Sequence, residues 1–168
     1  MRKQFDIELV DITRRRYKML RKLFITTDTF APTVVRLALG IVILPHGAQK
    51  LLGLFGGYGF SGTMSFMTET MGIPAVFAFL AIVAEFFGGL GLITGTLTRL
   101  SALGTGVTLA VAALMVHTQN GFFMNWFGNQ AGEGYEYHIL FVAMALSLVL
   151  TGGGRFSIDR FIAEKIVK

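Results

Sequence analysis

Four long apolar stretches alternate with shorter polar segments along the chain. They cover about residues 32–54, 75–97, 100–117 and 137–154. Each has roughly the 17 to 25 residues that a helix needs to cross a bilayer. A helix of a soluble bundle would show polar positions on one face, and the stretch 100–117 carries no charged residue at all. The pattern predicts an all-α integral membrane four-helix bundle.

The segments outside the apolar stretches divide the chain into three parts. Residues 1–30 combine apolar positions such as Leu9, Ile12 and Leu20 with a run of bases. This pattern is typical of a basic amphipathic arm that lies on cytoplasmic headgroups or docks on a partner, or of a solvated tail. Residues 31–154 form the predicted four-span membrane domain, and residues 155–168 form a basic cytoplasmic tail. About thirty mostly polar residues precede the first apolar stretch, which disfavours a cleavable signal sequence.

The basic residues are distributed unequally between the predicted loops. Eight Lys and Arg residues precede the first span, Arg99 lies between the second and third, and four follow the fourth, whereas loops 55–74 and 118–136 contain none. Cytoplasmic loops of membrane proteins are enriched in Lys and Arg, so both termini are predicted to be cytoplasmic. This distribution explains the pI near 9.8 without nucleic-acid binding. The absence of cysteine excludes thiol chemistry, so any redox role requires a bound cofactor.

Three basic side chains lie within the first apolar stretch. Arg36, Gly40, Ile43, Gly47 and Lys50 share one helical face, and His46 lies at its edge. A basic group at the centre of a bilayer costs about 3 kcal/mol on insertion scales, so such groups usually face a partner or a polar cavity. The glycines on this face would allow a second helix or a ligand to approach closely.

Glu85 is the only acid in any of the four stretches, and it borders a small-residue ridge formed by Ala84, Gly88, Gly91 and Gly95. The helical rise places Glu85 about 18 Å from the cytoplasmic end, between Arg36 at about 6 Å and His46 at about 21 Å. A carboxylate at this depth is either protonated or paired with a base. Two roles remain open, a structural ion pair that fixes helix register and a proton-handling or ligand-binding group.

The three histidines of the chain are predicted at similar depths. His117 ends the third span and His138 begins the fourth, so both lie near the level of His46. Ligation of a metal or haem by His46, His117 and His138 is a weak alternative, because no helix carries a paired HxxxH or ExxH motif. No metal is therefore assigned.

Several ordered motifs carry a family resemblance: RLALGIVILPHGAQKLLGLFGG, AEFFGGLGLITGTLTRL, VHTQNGFF, GYEY and TGGGRFSID. From about Arg36 to Asp159 the chain resembles the DoxX family of small four-helix bacterial membrane proteins. The resemblance implies that the family's functional positions correspond here to Arg36, His46 with Gly47, Lys50, Glu85 and His117. The family takes its name from a subunit of a thiosulfate:quinone oxidoreductase, and its members are associated with membrane redox complexes.

These observations predict a multi-pass protein of the bacterial inner membrane that acts as an accessory subunit of a redox complex rather than as a stand-alone oxidoreductase. Its ligand-binding residues would be Arg36, His46, Lys50, Glu85 and His117, in a polar pocket that accepts a quinone or a small anion. His46 and Glu85 are the candidate proton-handling residues; no cofactor is assigned, and quinone is a possible one. The partner complex would contact the N-terminal arm and the aromatic loop 118–136. The alternatives are a structural or assembly subunit without chemistry and a small-molecule or lipid-binding membrane module.

Overall fold

The computed structural model describes residues 23–166, and all regular secondary structure in that part of the chain is helical. The N-terminal arm up to residue 22 lies outside the described residues. Six α-helices follow in chain order: α1 Ala31–Leu52, α2 Gly59–Ser65, α3 Ala75–Thr94, α4 Thr98–Ala112, α5 Glu136–Thr151 and α6 Ile158–Ile166. Helix α2 continues through a π-helical turn, Phe66–Thr70, and α4 continues through two further turns to Asn120.

Three of these helical segments are long and apolar enough to cross a membrane, namely Ala31–Leu52, Ala75–Thr94 and Thr98–Asn120. Helix α5 is also apolar but has only 16 residues, which corresponds to a length of about 24 Å. A bilayer crossing requires about 20 residues. The all-helical membrane architecture is thus confirmed, and the fourth span stays a prediction.

Two of the helices end earlier than the apolar pattern predicts. Helix α1 ends at Leu52 and α3 at Thr94, although the apolar stretches continue to residues 54 and 97. Gly53 and Gly95 follow these helices with φ of 73° and 70°, a left-handed conformation that glycine adopts without steric cost. Helix α2 begins at Gly59, directly after a turn in which Gly53 and Gly56 have positive φ.

Helix α3 is the central element because glycines on two of its faces bring its neighbours close. Helix α1 packs most extensively on one face, where a Cβ atom on Gly89 would lie 3.0 Å from Cα of Leu44. Helix α4 packs on another face, where a Cβ atom on Gly88 would lie 2.9 Å from Cγ2 of Thr105. Helix α5 packs against α4 and α1 and completes an apolar core whose buried members include Leu39, Ile43, Leu92, Ala102, Leu109, Phe141, Ala145 and Leu148.

The segments before α1 and after α5 lie at the same end of the molecule. The Thr27 amide donates to the Thr151 carbonyl at 3.1 Å, and the Arg155 amide donates to the Thr29 carbonyl at 3.1 Å. We call this the basic end, because Arg36, Arg99, Arg155 and Arg160 lie there. Its cytoplasmic location follows from the charge distribution alone and stays a prediction.

Candidate functional site

An ion pair between α1 and α3 is the central feature of the candidate site. The Lys50 Nζ atom lies 2.5 Å from Oε2 of Glu85, the shortest contact between charged side chains of these two helices. The Glu85 side chain is 6% exposed, whereas the Lys50 side chain is 31% exposed. The acid is therefore enclosed by the protein, and the base is the more accessible member of the pair.

Gly47 allows the two helices to meet at this point. Its Cα lies against the backbone of Glu85 and Phe86, so closely that a Cβ atom would overlap the Phe86 amide. His46, the residue that precedes Gly47 on α1, is exposed. The structure thus pairs Glu85 with Lys50, one of the three basic residues of the first apolar stretch, and places His46 beside Gly47 at the same helix crossing.

Arg36 occupies a different place from the one expected. Its guanidinium is buried and donates to the Leu92 carbonyl at 2.9 Å, the Ile93 carbonyl at 2.5 Å, the Gly153 carbonyl at 2.9 Å and the Phe156 carbonyl. Fourteen residues separate Arg36 from Lys50 on α1, a distance of about 21 Å along the helix. The expectation of one pocket shared by all five residues is corrected, because the Arg36 donors are used by backbone carbonyls at the basic end.

The rings of two histidines contact each other at a tilted angle. The rings of His117 and His138 have centroids 4.1 Å apart and an interplanar angle of 38°. His117 Nδ1 hydrogen bonds with the Glu133 carbonyl at 2.9 Å, whereas the buried His138 Nδ1 has no partner among residues 23–166. Across the same residues, no three His, Asp or Glu side chains are grouped so that they could hold a metal ion. His46 accordingly does not complete a three-histidine cluster with this pair.

Tyr137 belongs to the same region and was not foreseen as a site residue. It lies in the first turn of α5, and the centroid of its ring is 6.1 Å from that of Phe141. Its buried hydroxyl has no hydrogen-bond partner in the described part of the chain. One signal was available, since Tyr137 is the only tyrosine within the four apolar stretches.

The loop that connects α4 and α5 is held by its own polar side chains. The Glu136 carboxylate accepts the Met124 amide at 2.8 Å, and the Glu133 carboxylate accepts the Asn125 amide at 2.7 Å. The aromatic side chains Phe123, Trp126 and Phe127 remain 68%, 80% and 88% exposed. Exposed aromatic rings of this kind are typical of the interface between a membrane and water, or of a contact with a partner.

Three apolar helices of sufficient length, with a buried carboxylate paired to a base between two of them, define the chain as an integral membrane protein. The DoxX family model matches residues 31–118, which is more than half of the chain and includes all of α1 and α3. The chain belongs to the DoxX family, and the expected resemblance is confirmed.

Known proteins agree with this assignment. The chain is 33% identical to the inner membrane protein YqjF of Escherichia coli (strain K12), over 79% of this chain and 92% of YqjF. It is 26% identical to a Bacillus subtilis (strain 168) protein named "Putative oxidoreductase CatD", over 77% of this chain and 84% of CatD. No solved structure matches the chain. The apolar helices and the inner-membrane relative support a location in the bacterial inner membrane.

Proposed function

We propose that the protein is an accessory subunit of a membrane redox complex and that His46, Lys50 and Glu85 form its ligand site, which binds a quinone or a small anion. The observation that carries this proposal is the unequal exposure of the ion pair, with Lys50 accessible and Glu85 buried. An ion pair that only fixed helix register would have no need for an accessible base. The oxidoreductase name of CatD supports a redox association.

The three side chains have complementary chemistry for such a ligand. The Lys50 ammonium supplies up to three donors and stabilises negative charge on a bound oxygen. The exposed His46 imidazole is placed to accept or return a proton as a quinone headgroup changes protonation state. Glu85 holds Lys50 in position by the 2.5 Å contact and is a second proton acceptor. Arg36 has no part in this chemistry because four carbonyls accept its hydrogen bonds.

The test is purification of the full chain in native lipids, followed by extraction and quantification of bound quinone. We expect wild-type protein to retain quinone and His46→Gln and Glu85→Gln to retain much less. Glu69→Gln is the matched control, because Glu69 is an exposed acid that hydrogen bonds only to Ser65 in the described residues. Retention of quinone by both site variants would refute the assigned roles. A redox enzyme that co-purifies in stoichiometric amount would support the accessory role.

A purely structural subunit is the second candidate, and the arginines favour it. Arg36 and Arg99 both donate to carbonyls at the C-terminal ends of neighbouring helices, so basic groups in this chain also stabilise helix packing. If Lys50 and Glu85 only stabilise helix packing, the neutral double variant Lys50→Met with Glu85→Leu will fold, join its complex and support the activity of the partner like wild type. If the pair binds a ligand, the double variant will assemble but lose the bound molecule.

Partner contact is proposed through the exposed aromatic side chains of loop 118–136, together with the N-terminal arm. The loop backbone is fixed by Glu133 and Glu136, so Phe123, Trp126 and Phe127 are presented on an ordered surface. A preorganised aromatic surface is favourable for association because little conformational entropy is lost on binding. The test compares co-purification of partner proteins with wild type and with Trp126→Ser, which leaves the acidic residues of the loop unchanged.

A further inference from the structure

Phe55, in the turn after α1, has a backbone conformation that is unfavourable for a phenylalanine. Its φ and ψ angles are 53° and 33°, in the left-handed region, where the Cβ atom of an L-residue lies too close to the backbone. Among residues 23–166, Leu97 is the other residue with a side chain that has a positive φ, and the rest are glycines. Strained residues of this kind persist where the surrounding structure holds them, and they are concentrated at ligand sites.

Two contacts hold this turn against the last turns of α1. The Gln49 side-chain amide donates to the Phe55 carbonyl at 3.3 Å. Gly57 lies so close to the backbone of Gln49 that a Cβ atom on Gly57 would overlap it. Gln49 follows His46 by three residues and directly precedes Lys50, so these three side chains lie on one side of the helix. The Phe55 backbone is therefore fixed next to the helix face that carries the two accessible bases of the proposed ligand site.

The ring of Phe55 makes little contact with the rest of the described chain, since the residue is 72% exposed. A ring that only contacts lipid needs no special backbone conformation. Tyr58, three residues later, is 76% exposed and has an ordinary φ of −79°. The left-handed conformation of Phe55 therefore does more than expose an aromatic side chain, because it fixes one particular ring at one position beside α1.

We infer that Phe55 is a further ligand-binding residue and that its ring stacks on the planar ring of a ligand held by Lys50 and His46. The inference rests on the proposed function and specifies the ligand class of that site. A planar unsaturated ring gains from stacking on phenylalanine, whereas a small inorganic anion does not, so the stacking selects the quinone. The quinone oxygens face the two bases, and the Phe55 ring covers the quinone ring. The interaction is non-covalent.

The experiment uses the full-length protein in lipid nanodiscs and two probes, menadione and inorganic phosphate. Equilibrium binding of each probe is measured with wild type, Phe55→Gly, Phe55→Tyr and Leu97→Gly. Phe55→Tyr keeps an aromatic ring at the position. Leu97→Gly is the matched control, because it also replaces a residue of positive φ, at 47°, but at the basic end, where the Leu97 amide donates to Asp159.

We expect wild type to bind menadione and not phosphate. The contribution of one aromatic pair corresponds to roughly a three- to tenfold change in affinity, so Phe55→Gly should bind menadione more weakly by about that factor. Phe55→Tyr and Leu97→Gly should bind like wild type. Without ligand, Phe55→Gly should melt no lower than wild type, because the exposed ring contributes little packing and glycine adopts a positive φ without steric cost.

The remaining outcomes overturn the inference at separate points. Unchanged menadione affinity in Phe55→Gly would refute the role of Phe55 and leave the proposed function intact, whereas failure of wild type to bind either probe would refute the proposed function as well. Binding of phosphate alone would refute the planar ligand. An equal loss of affinity in Phe55→Gly and Leu97→Gly would refute stacking, because the effect would then not depend on the ring beside the site.

If Phe55→Gly cannot be purified, fluorescence gives a second measurement. Trp126 is the only tryptophan of the chain, so the double variant Phe55→Trp with Trp126→Phe carries a single indole at position 55. Quinones quench the fluorescence of indole on contact. Menadione must therefore quench position 55 more strongly than it quenches Trp126 in wild-type protein, and equal quenching of the two positions refutes the stacking.

Discussion

The Arg36 guanidinium donates a hydrogen bond of 2.9 Å to the carbonyl of Leu92, so a side chain of α1 caps the C-terminal end of α3. Ile93 and two carbonyls of the segment after α5 accept the remaining donors. The last carbonyls of a helix have no partner within the helix, and a cation at this end also interacts favourably with the helix dipole. Arg36 therefore joins three parts of the chain at the basic end.

Removal of the Arg36 guanidinium should destabilise the fold strongly. In Arg36→Met four carbonyls lose their donor at once, and one buried acceptor left without a partner typically costs about 1 to 3 kcal/mol. Arg36→Lys should also be destabilised, because an ammonium group cannot reproduce the planar fork of donors. Thermal unfolding in detergent measures both variants, and Arg155→Lys, at an exposed arginine, is the control. Wild-type stability of Arg36→Met would contradict the capping role.

Asp159 is the acidic counterpart of Arg36 at the basic end. Its buried carboxylate accepts the amides of Leu97 and Thr98, both at 2.7 Å, at the N-terminal end of α4. Loss of an N-terminal cap costs about 0.5 to 2 kcal/mol, so Asp159→Ala should lower stability by at least that amount. Glu164→Ala, at an exposed acid of the same helix, should have little effect. Chemical unfolding followed by circular dichroism measures the stability of both variants. An equal loss of stability in Asp159→Ala and Glu164→Ala would contradict the capping role of Asp159.

The apolar pattern predicted the positions of the membrane helices well, but it did not predict which groups pair with each charged side chain. Length and hydropathy depend only on local composition, and α1 and α3 begin within one residue of the expected positions. The Lys50–Glu85 pair was among the expected pairings because Glu85 is the only acid in the apolar stretches. Arg36 differs, since its acceptors are backbone carbonyls, which every residue carries and which no sequence motif marks.

The role of Asp159 was hidden for a related reason. In the sequence Asp159 lies in the predicted basic cytoplasmic tail, residues 155–168. Its side chain is buried only because the chain folds back against α3 and α4 after α5. This change of chain direction requires Gly152, Gly153 and Gly154. Their backbones lie so close to the segment before α1, to α1 and to α4 that a Cβ atom at each position would overlap neighbouring atoms. Close approaches between segments far apart in sequence depend on tertiary structure, which periodicity does not specify.

Gly47 should tolerate no side chain, because its Cα lies against the backbone of Glu85 and Phe86. In Gly47→Ala the two helices must separate, and overpacking of this kind costs about 1 to 3 kcal/mol, with more expected against rigid backbone. Gly104→Ala is the control, since its Cβ atom would lie at an ordinary 3.4 Å from the Cβ atom of Ala84. The melting temperatures of the two variants are compared. If Gly47→Ala is as stable as Gly104→Ala, α1 and α3 can move apart without cost and the close contact at Gly47 is not required.

Asp28 links the segment before α1 to α6 through an ion pair that should respond to acid. Its hydrogen bond with Arg160 lowers the pKa of the Asp28 carboxyl below the ordinary 3.8, and the nearby charges of Arg160 and Arg155 act in the same direction. A group whose pKa is depressed by folding contributes stability above its unfolded pKa and loses it as pH falls through the folded pKa. The contribution of this ion pair to stability is therefore complete at neutral pH and decreases below about pH 4.

We expect stability to fall more steeply in wild type than in Asp28→Asn over that acidic range. The difference between the two proteins should be small, because the Asp28–Arg160 pair is exposed. The difference should shrink at high salt, and parallel pH profiles for the two proteins would show that this ion pair does not contribute to stability.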